Sequence, residues 1–163
     1  KVFKRVYDMD KDIDPNIYHT FGLRAIGYKT RLEFIEYYLQ KKINTPSLVI
    51  IDGIADLVSD VNSLEESNAV VQKLMEWSAK FNCHIINVIH HNYGTTKMTG
   101  HLGSFLEKKC ETHIELEANT VNKEWVTVKC KRSRGYAFNT FSFEVNEVGL
   151  PTIVNDLYDP LKT

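Results

Sequence analysis

The chain has 163 residues, of which 43% are hydrophobic, with 20 Lys and Arg against 21 Asp and Glu and three cysteines. Near-zero net charge excludes bulk charge as the basis for a polyanion partner and leaves only local basic patches. No apolar run of roughly 18 residues is present to cross a membrane, and Cys83, Cys110 and Cys130 form no CxxC pair, which argues against a disulfide scaffold or zinc site and fits a reducing, cytoplasmic setting.

Residues 1–12, "KVFKRVYDMDKD", are apolar at Val2, Phe3, Val6, Tyr7 and Met9 and read as the end of an amphipathic helix whose beginning is absent. "FGLRAIG", 21–27, alternates as a short strand does. Thr30-Arg31-Leu32-Glu33 has capping-box spacing, and Leu32, Ile35 and Leu39 follow at helical intervals. Asn44, Thr45 and Pro46 end that helix. Leu48 to Asp52 is an apolar run that stops on an acid, and residues 53–62 read as loop. Ser63-Leu64-Glu65-Glu66 is a second capping box. It opens a helix with Val70, Leu74, Trp77, Ser78 and Phe81 along one face.

"CHIINVIH", 83–90, reads as a second buried strand, followed by a Gly- and Thr-rich segment over 91–104 and a short helix near 103–109. "THIELEA", "EWVTVKCKR" and "NTFSFEVNE" then alternate with period two. The order β-α-β-α-β followed by strands predicts a single α/β domain. Its sheet is mostly parallel with flanking helices, and antiparallel strands lie at the C-terminal end. Trp77, Phe81, Tyr136, Phe138, Phe141 and Phe143 are read as core, Tyr136 being the weakest member.

In open parallel sheets, ligands bind beyond the carboxyl ends of the strands. Asp52 ends one expected strand, and His90, His91 and Asn92 end the next. An acid beside imidazole and amide groups suits a phosphate-bound Mg²⁺, with Asp52 on the metal and His91 or Asn92 sensing phosphate or orienting water. Asp52 also has a plainer reading, as a cap on the following loop, and Asp56 is read as a solvated or loop-capping acid. His84, His90, His91 and Cys83 lack the spacing of a zinc site. Over 93–103, Tyr93 offers a stacking ring while Lys97 and His101 offer charge to DNA, with an ordinary surface crossover as the competing reading. Lys129, Lys131, Arg132 and Arg134 form the densest basic cluster, open by its residues to two roles: a nucleic-acid patch or a solvated strand end.

Leu48-Val49-Ile50-Ile51-Asp52-Gly53 resembles the Walker B strand of RecA-like P-loop ATPases, and "IINVIHHN" resembles the sensor strand after it. Gly100, Ser104 and Leu106 are similar to the G-S-x-x-L helix of hexameric helicases and RepA-like ATPases. "VKCKRSRGYAFNTFSFEV" is similar to their penultimate hairpin. The match is to mobile-element ATPases of the RepA and TnpC kind, over residues 21–147. The resemblance implies ATP and Mg²⁺ as cofactors, with Asp52 and Gly53 at the nucleotide and Asp52 on the metal. It also implies His91 and Asn92 as sensor, an arginine finger in Arg132 or Arg134, DNA as a partner, and a homo-oligomer acting in replication, mobilisation or transposition.

No GxxxxGK[ST] occurs in the chain, and 47 residues precede Leu48. The expectation is therefore the C-terminal part of a larger ATPase domain, inactive by itself because the phosphate cradle lies elsewhere. The alternative is a non-catalytic α/β module that binds a protein partner or DNA.

Overall fold

The computed structural model describes residues 14, 16–41, 46–92 and 97–154. The helix expected over 1–12, the breaking residues Asn44 and Thr45, and Tyr93 lie outside the described residues. The chain divides into two compact units, one of His19–Lys109 and one of Cys110–Thr163 with Lys1–Tyr18.

In the unit His19–Lys109, the strand expected over 21–27 does not form. Phe21 lays its ring against Phe34 at 5.0 Å and Tyr38 at 4.8 Å. Arg31 takes the main-chain oxygens of Leu23 at 3.1 Å and Arg24 at 3.2 Å. Carbonyls that a strand would offer to a neighbour are thus already engaged by a side chain. Helix α1 spans Tyr28–Lys41 and starts before the predicted cap, since the Arg31 amide already donates to Gly27 O at 3.0 Å. Thr30 therefore lies inside the first turn.

Strand β1 (Leu48–Asp52) and strand β2 (His84–Val88) pair in parallel, from Leu48 opposite His84 to Asp52 opposite Val88. Between them come a 3₁₀ turn, Ile54–Leu57, and helix α2, Leu64–Phe81. Ser63 caps α2 as its sequence predicts, accepting from the Glu66 amide at 3.2 Å. Asn82 closes the helix in the left-handed region at φ 49°. Helix α3 runs Gly100–Lys109. The core joins Val70, Val71, Leu74 and Trp77 of α2 to Leu39, Ile51, Ile54, Leu57, Leu102 and Leu106. Each such side chain contributes about 1.5–3 kcal/mol by leaving water.

Both strands bury one face only. Val49, Ile51, Ile85 and Asn87 turn inward, whereas Leu48, Ile50, Ile86 and Val88 are exposed. The continuous apolar runs predicted strands covered on both sides. Within the described residues the second cover is not seen, because all core helices lie on the Val49–Ile51 side.

In the other unit, β3 (Thr112–Ala118), β4 (Trp125–Ser133), β5 (Phe141–Val145) and β6 (Pro151–Val154) form an antiparallel sheet in that order. The sheet expected to be mostly parallel is therefore two sheets among the described residues: two parallel strands, and four antiparallel ones. The connections explain this. Short turns, one closed by Trp125 N on Asn122 O and one by Gly149 N on Asn146 O, can join only antiparallel neighbours. Strand β6 was not anticipated. Its signal is the Asn146-Glu147-Val148-Gly149 turn, with Gly149 at φ 87°.

The aromatic run is not core. β5 pairs with β4 only from Phe141 opposite Val128 to Glu144 opposite Trp125, so residues 134–140 arch beyond it. Tyr136 is 103% exposed, and Phe138 and Phe141 are also exposed, 6.0 Å apart. Alternation in a loop has no sheet face to bury.

Candidate nucleotide edge

Parallel pairing brings the carboxyl ends of β1 and β2 to the same edge, with Asp52 level with Val88. Gly53 follows so closely against β2 that a β-carbon there would stand 3.3 Å from Val88 O. The Asp52–Gly53 peptide bond is cis. Beyond Val88 the chain runs through Ile89 to His90, His91 and Asn92. Asn92 N donates to Lys97 O at 2.9 Å, and His91 bridges Met98. Thr99 turns back on His90 O with both its amide, at 3.2 Å, and its hydroxyl, at 2.8 Å. The segment after β2 is thus an antiparallel arm whose base holds His90, His91, Asn92 and Lys97 at the same edge as Asp52.

Asp52 is exposed and its carboxylate makes no hydrogen bond or ion pair among the described residues. The loop-capping role is not observed. Gly53, not Asp52, precedes the 3₁₀ turn, and Asp56 N donates to Gly53 O at 3.1 Å. Among the described residues no group of three His, Cys, Asp or Glu side chains could hold a metal. A single open carboxylate fits Mg²⁺ only as that ion is commonly bound, by one or two carboxylates together with phosphate oxygens and water. Asp52 would then hold the ion, and the ion would neutralise charge on the phosphates.

The turn after Asp52 is held by two side chains that sequence reasoning passed over. Arg31 reaches from α1 to Asp56 O at 2.7 Å, with the Asp56 carboxylate at 3.7 Å. Glu66 accepts from Ser59 N and the Ser59 hydroxyl, both at 2.8 Å, and from Asp60 N at 3.3 Å. The Tyr28 hydroxyl adds a bond at 3.3 Å. These bonds hold the Glu66 carboxyl below its ordinary range, the Ser59 hydroxyl being the largest cause. The capping-box spacing pointed at Glu66, but its carboxylate grips Ser59 and Asp60 rather than the Ser63 amide.

Of the remaining predicted residues, Lys97 and His101 are exposed on either side of the α3 start. Gly100 begins α3 at φ 66°, a value that favours glycine, and a β-carbon there would run into the Val61 carbonyl. Ser104 Oγ donates to Gly100 O at 3.4 Å and Leu106 is buried. Arg132 and Arg134 belong to the antiparallel unit. Arg132 lies opposite His113 near the end of β4 and is exposed. Arg134 is tied to its own sheet, its amide on Glu111 O at 3.0 Å and its Nε on Cys110 O at 3.3 Å. Lys129 and Lys131 are neutralised on the polar sheet face, by Glu117 at 2.5 Å and Glu115 at 2.8 Å.

The elements and their shared edge are those of a RecA-like α/β fold. Among solved structures the chain resembles the RadB recombinase, at a TM-score of 0.51 and 19% identity over 74% of this chain and 58% of that one. At that identity the likeness is one of fold, and the chain spans about 58% of the length of that structure. No family model matches the chain, and no curated protein matches it. No helix among the described residues is long and apolar enough to cross a membrane.

Proposed function

We propose that these residues form the Walker B half of a RecA-like ATPase core that acts on DNA, the P-loop being supplied from outside the 163 residues. The observation that carries it is the unengaged Asp52 carboxylate, at the carboxyl edge of a parallel pair, with His91 and Asn92 following the adjacent strand. Asp52 would bind the Mg²⁺ of a bound ATP, which lends positive charge to the phosphates. His91 and Asn92 would orient water or sense the terminal phosphate. Arg132 or Arg134, both exposed and beyond the part of β4 paired with β5, would supply the finger for a neighbouring subunit. Lys97 and His101, with Tyr93, would meet DNA beside the arm. Work within a homo-oligomer, and a place in a mobile element's replication, mobilisation or transposition, rest on motif resemblance alone.

The test is ATP turnover in a polypeptide that carries both a P-loop and these residues, against the 163-residue chain alone. The chain alone shows no turnover. In the longer protein Asp52→Asn lowers turnover by roughly 100-fold or more while nucleotide binding persists, because the acid acts through the metal and the P-loop supplies most of the binding. Equal turnover in the Asp52→Asn protein and its parent removes Asp52 from the chemistry. It leaves the 163 residues as a non-catalytic α/β module attached to an ATPase whose chemistry lies elsewhere.

A further inference from the structure

Asp52 reaches the carboxyl edge with no side chain to hold it. Its carboxylate makes no hydrogen bond or ion pair among the described residues, so the main chain on either side fixes where it stands. On one side is β1, paired with β2 as far as Asp52 opposite Val88. On the other is the 3₁₀ turn Ile54–Leu57, entered through Gly53, which offers no side-chain cap. A metal ligand must be held to within about 0.5 Å of its working geometry by the residues behind it.

The turn is fastened from two directions. Ile54 and Leu57 are buried in the core and fix its depth. Its peptide groups are fixed by hydrogen bonds. Asp56 N donates to Gly53 O at 3.1 Å, and Asp56 O accepts from Arg31 Nη1 at 2.7 Å. The last carbonyls of a helical turn have no partner within it, and Arg31 supplies one from α1. A continuous chain of bonds therefore runs from Arg31 through Asp56 to Gly53, the residue joined to Asp52. Gly53 lies close on β2, where a β-carbon would stand 3.3 Å from Val88 O. The other Arg31 nitrogens are engaged by Leu23 O at 3.1 Å and Arg24 O at 3.2 Å. The Arg31 side chain is only 15% exposed, so water is a poor substitute for it. All of these residues belong to the one compact unit His19–Lys109.

We propose that Arg31 is a positioning residue for the metal-binding carboxylate. By closing the turn after Gly53 it sets where Asp52 presents its oxygens, and with that the affinity of the ATP-bound edge for Mg²⁺. The inference rests on the reading of Asp52 as a Mg²⁺ ligand. Arg31 acts through the turn, since its guanidinium nitrogens are already engaged by carbonyls.

The experiment is a Mn²⁺ titration, with Mn²⁺ in place of Mg²⁺, of the polypeptide that carries a P-loop together with these residues. The protein is in excess over a non-hydrolysable ATP analogue, and free Mn²⁺ is read by its electron paramagnetic resonance signal. Arg31→Ala weakens Mn²⁺ binding roughly tenfold, the lower end of the range for groups that orient a metal ligand. Arg31→Lys, which keeps the charge, weakens it several-fold, because an ammonium lacks the planar fork that serves three carbonyls. Nucleotide affinity in EDTA stays at the parent's value in both. In an Asp52→Asn background Arg31→Ala has no further effect, because the arginine works through that carboxylate. Leu74→Ala removes core contact without touching a hydrogen bond of the turn, and keeps the parent's Mn²⁺ affinity.

The proposal is overturned if Arg31→Lys binds Mn²⁺ as the parent does, a result that stands even where Arg31→Ala fails to fold. It is also overturned if Leu74→Ala loses as much affinity, or if the effects of Arg31→Ala and Asp52→Asn add. Weakened binding in Asp52→Asn with none in Arg31→Lys strikes Arg31 alone. Parent affinity in Asp52→Asn removes the metal reading of Asp52 and this inference with it.

Discussion

Arg31, on the first helix, donates to the main-chain oxygen of Asp56 at 2.7 Å, four residues after the acid that ends β1. The same guanidinium holds Leu23 O and Arg24 O, so one side chain fastens the segment before α1 and the turn after β1 to a single point. A planar fork of five donors can serve three carbonyls, and an ammonium cannot reproduce that geometry.

Arg31→Ala therefore leaves three carbonyls without their donor. The expected cost is about 2–4 kcal/mol in urea unfolding, given about 1.5–3 kcal/mol for a hydrogen bond to a charged group and partial rescue by water. Arg31→Lys recovers only part of it. In hydrogen exchange the loss concentrates at Asp56 N and Val58 N, the amides that close the 3₁₀ turn. Uniform exchange across both units would show that the clamp is not local.

Glu66 gives the fold an acid-sensitive joint. Its folded pKa lies below the ordinary 4.5, chiefly through the Ser59 hydroxyl and then the Ser59 amide. A lowered folded pKa means that its contribution is complete above about 4.5 and is lost as pH falls through the lower folded value. Between pH 7 and 3 the Tm of the parent should fall more steeply than that of Glu66→Gln, whose side chain does not titrate. Parallel Tm profiles would remove Glu66 from the acid response.

The two lysines on β4 look equivalent in sequence and should not behave so. Lys131 faces Glu115, whose side chain is 0% exposed, whereas Lys129 faces Glu117, which is 35% exposed. Removing the partner of a buried charge costs about 3–5 kcal/mol, and exposed pairs contribute about 0–1 kcal/mol. Lys131→Met should destabilise the chain by several-fold more than Lys129→Met in matched denaturant titrations. Equal losses would mean that Glu115 is not the costly carboxylate.

Cys83 is buried, and burial pushes its thiol up from 9.0. Native protein should therefore react with a thiol reagent at Cys110 and Cys130 first, and at Cys83 only after unfolding. Peptide mapping after a short pulse at pH 8 reads this directly, and early labelling of Cys83 would contradict its burial with the thiol on Trp77 O at 3.8 Å.

Local periodicity alone determined much of the protein. The 48–52 run was legible as a strand ending in an acid, the 64–81 helix by its cap and its Val70-Leu74-Trp77 face, and β3, β4 and β5 by alternation. The shared edge of Asp52 with His91 and Asn92 followed from two apolar runs joined by a helix, a connection that suits the parallel pair observed. Tertiary structure decided which face was covered and which partner each polar group found. An apolar run reads the same whether one side or both meet a neighbour, so the exposure of Leu48 and Ile50 could not be read from composition. Arg31 could have been a solvated helix residue, and Glu66 an ordinary capping-box acid. Each instead closed a bond with residues distant on the helix–loop path, and such bonds leave no periodic trace. The aromatic run was misread for the same reason. Phe141 marks the last pairing with β4, and whether Tyr136 belongs to a strand or to an arch depends on where the neighbouring strand stops, a property of two segments and not of one.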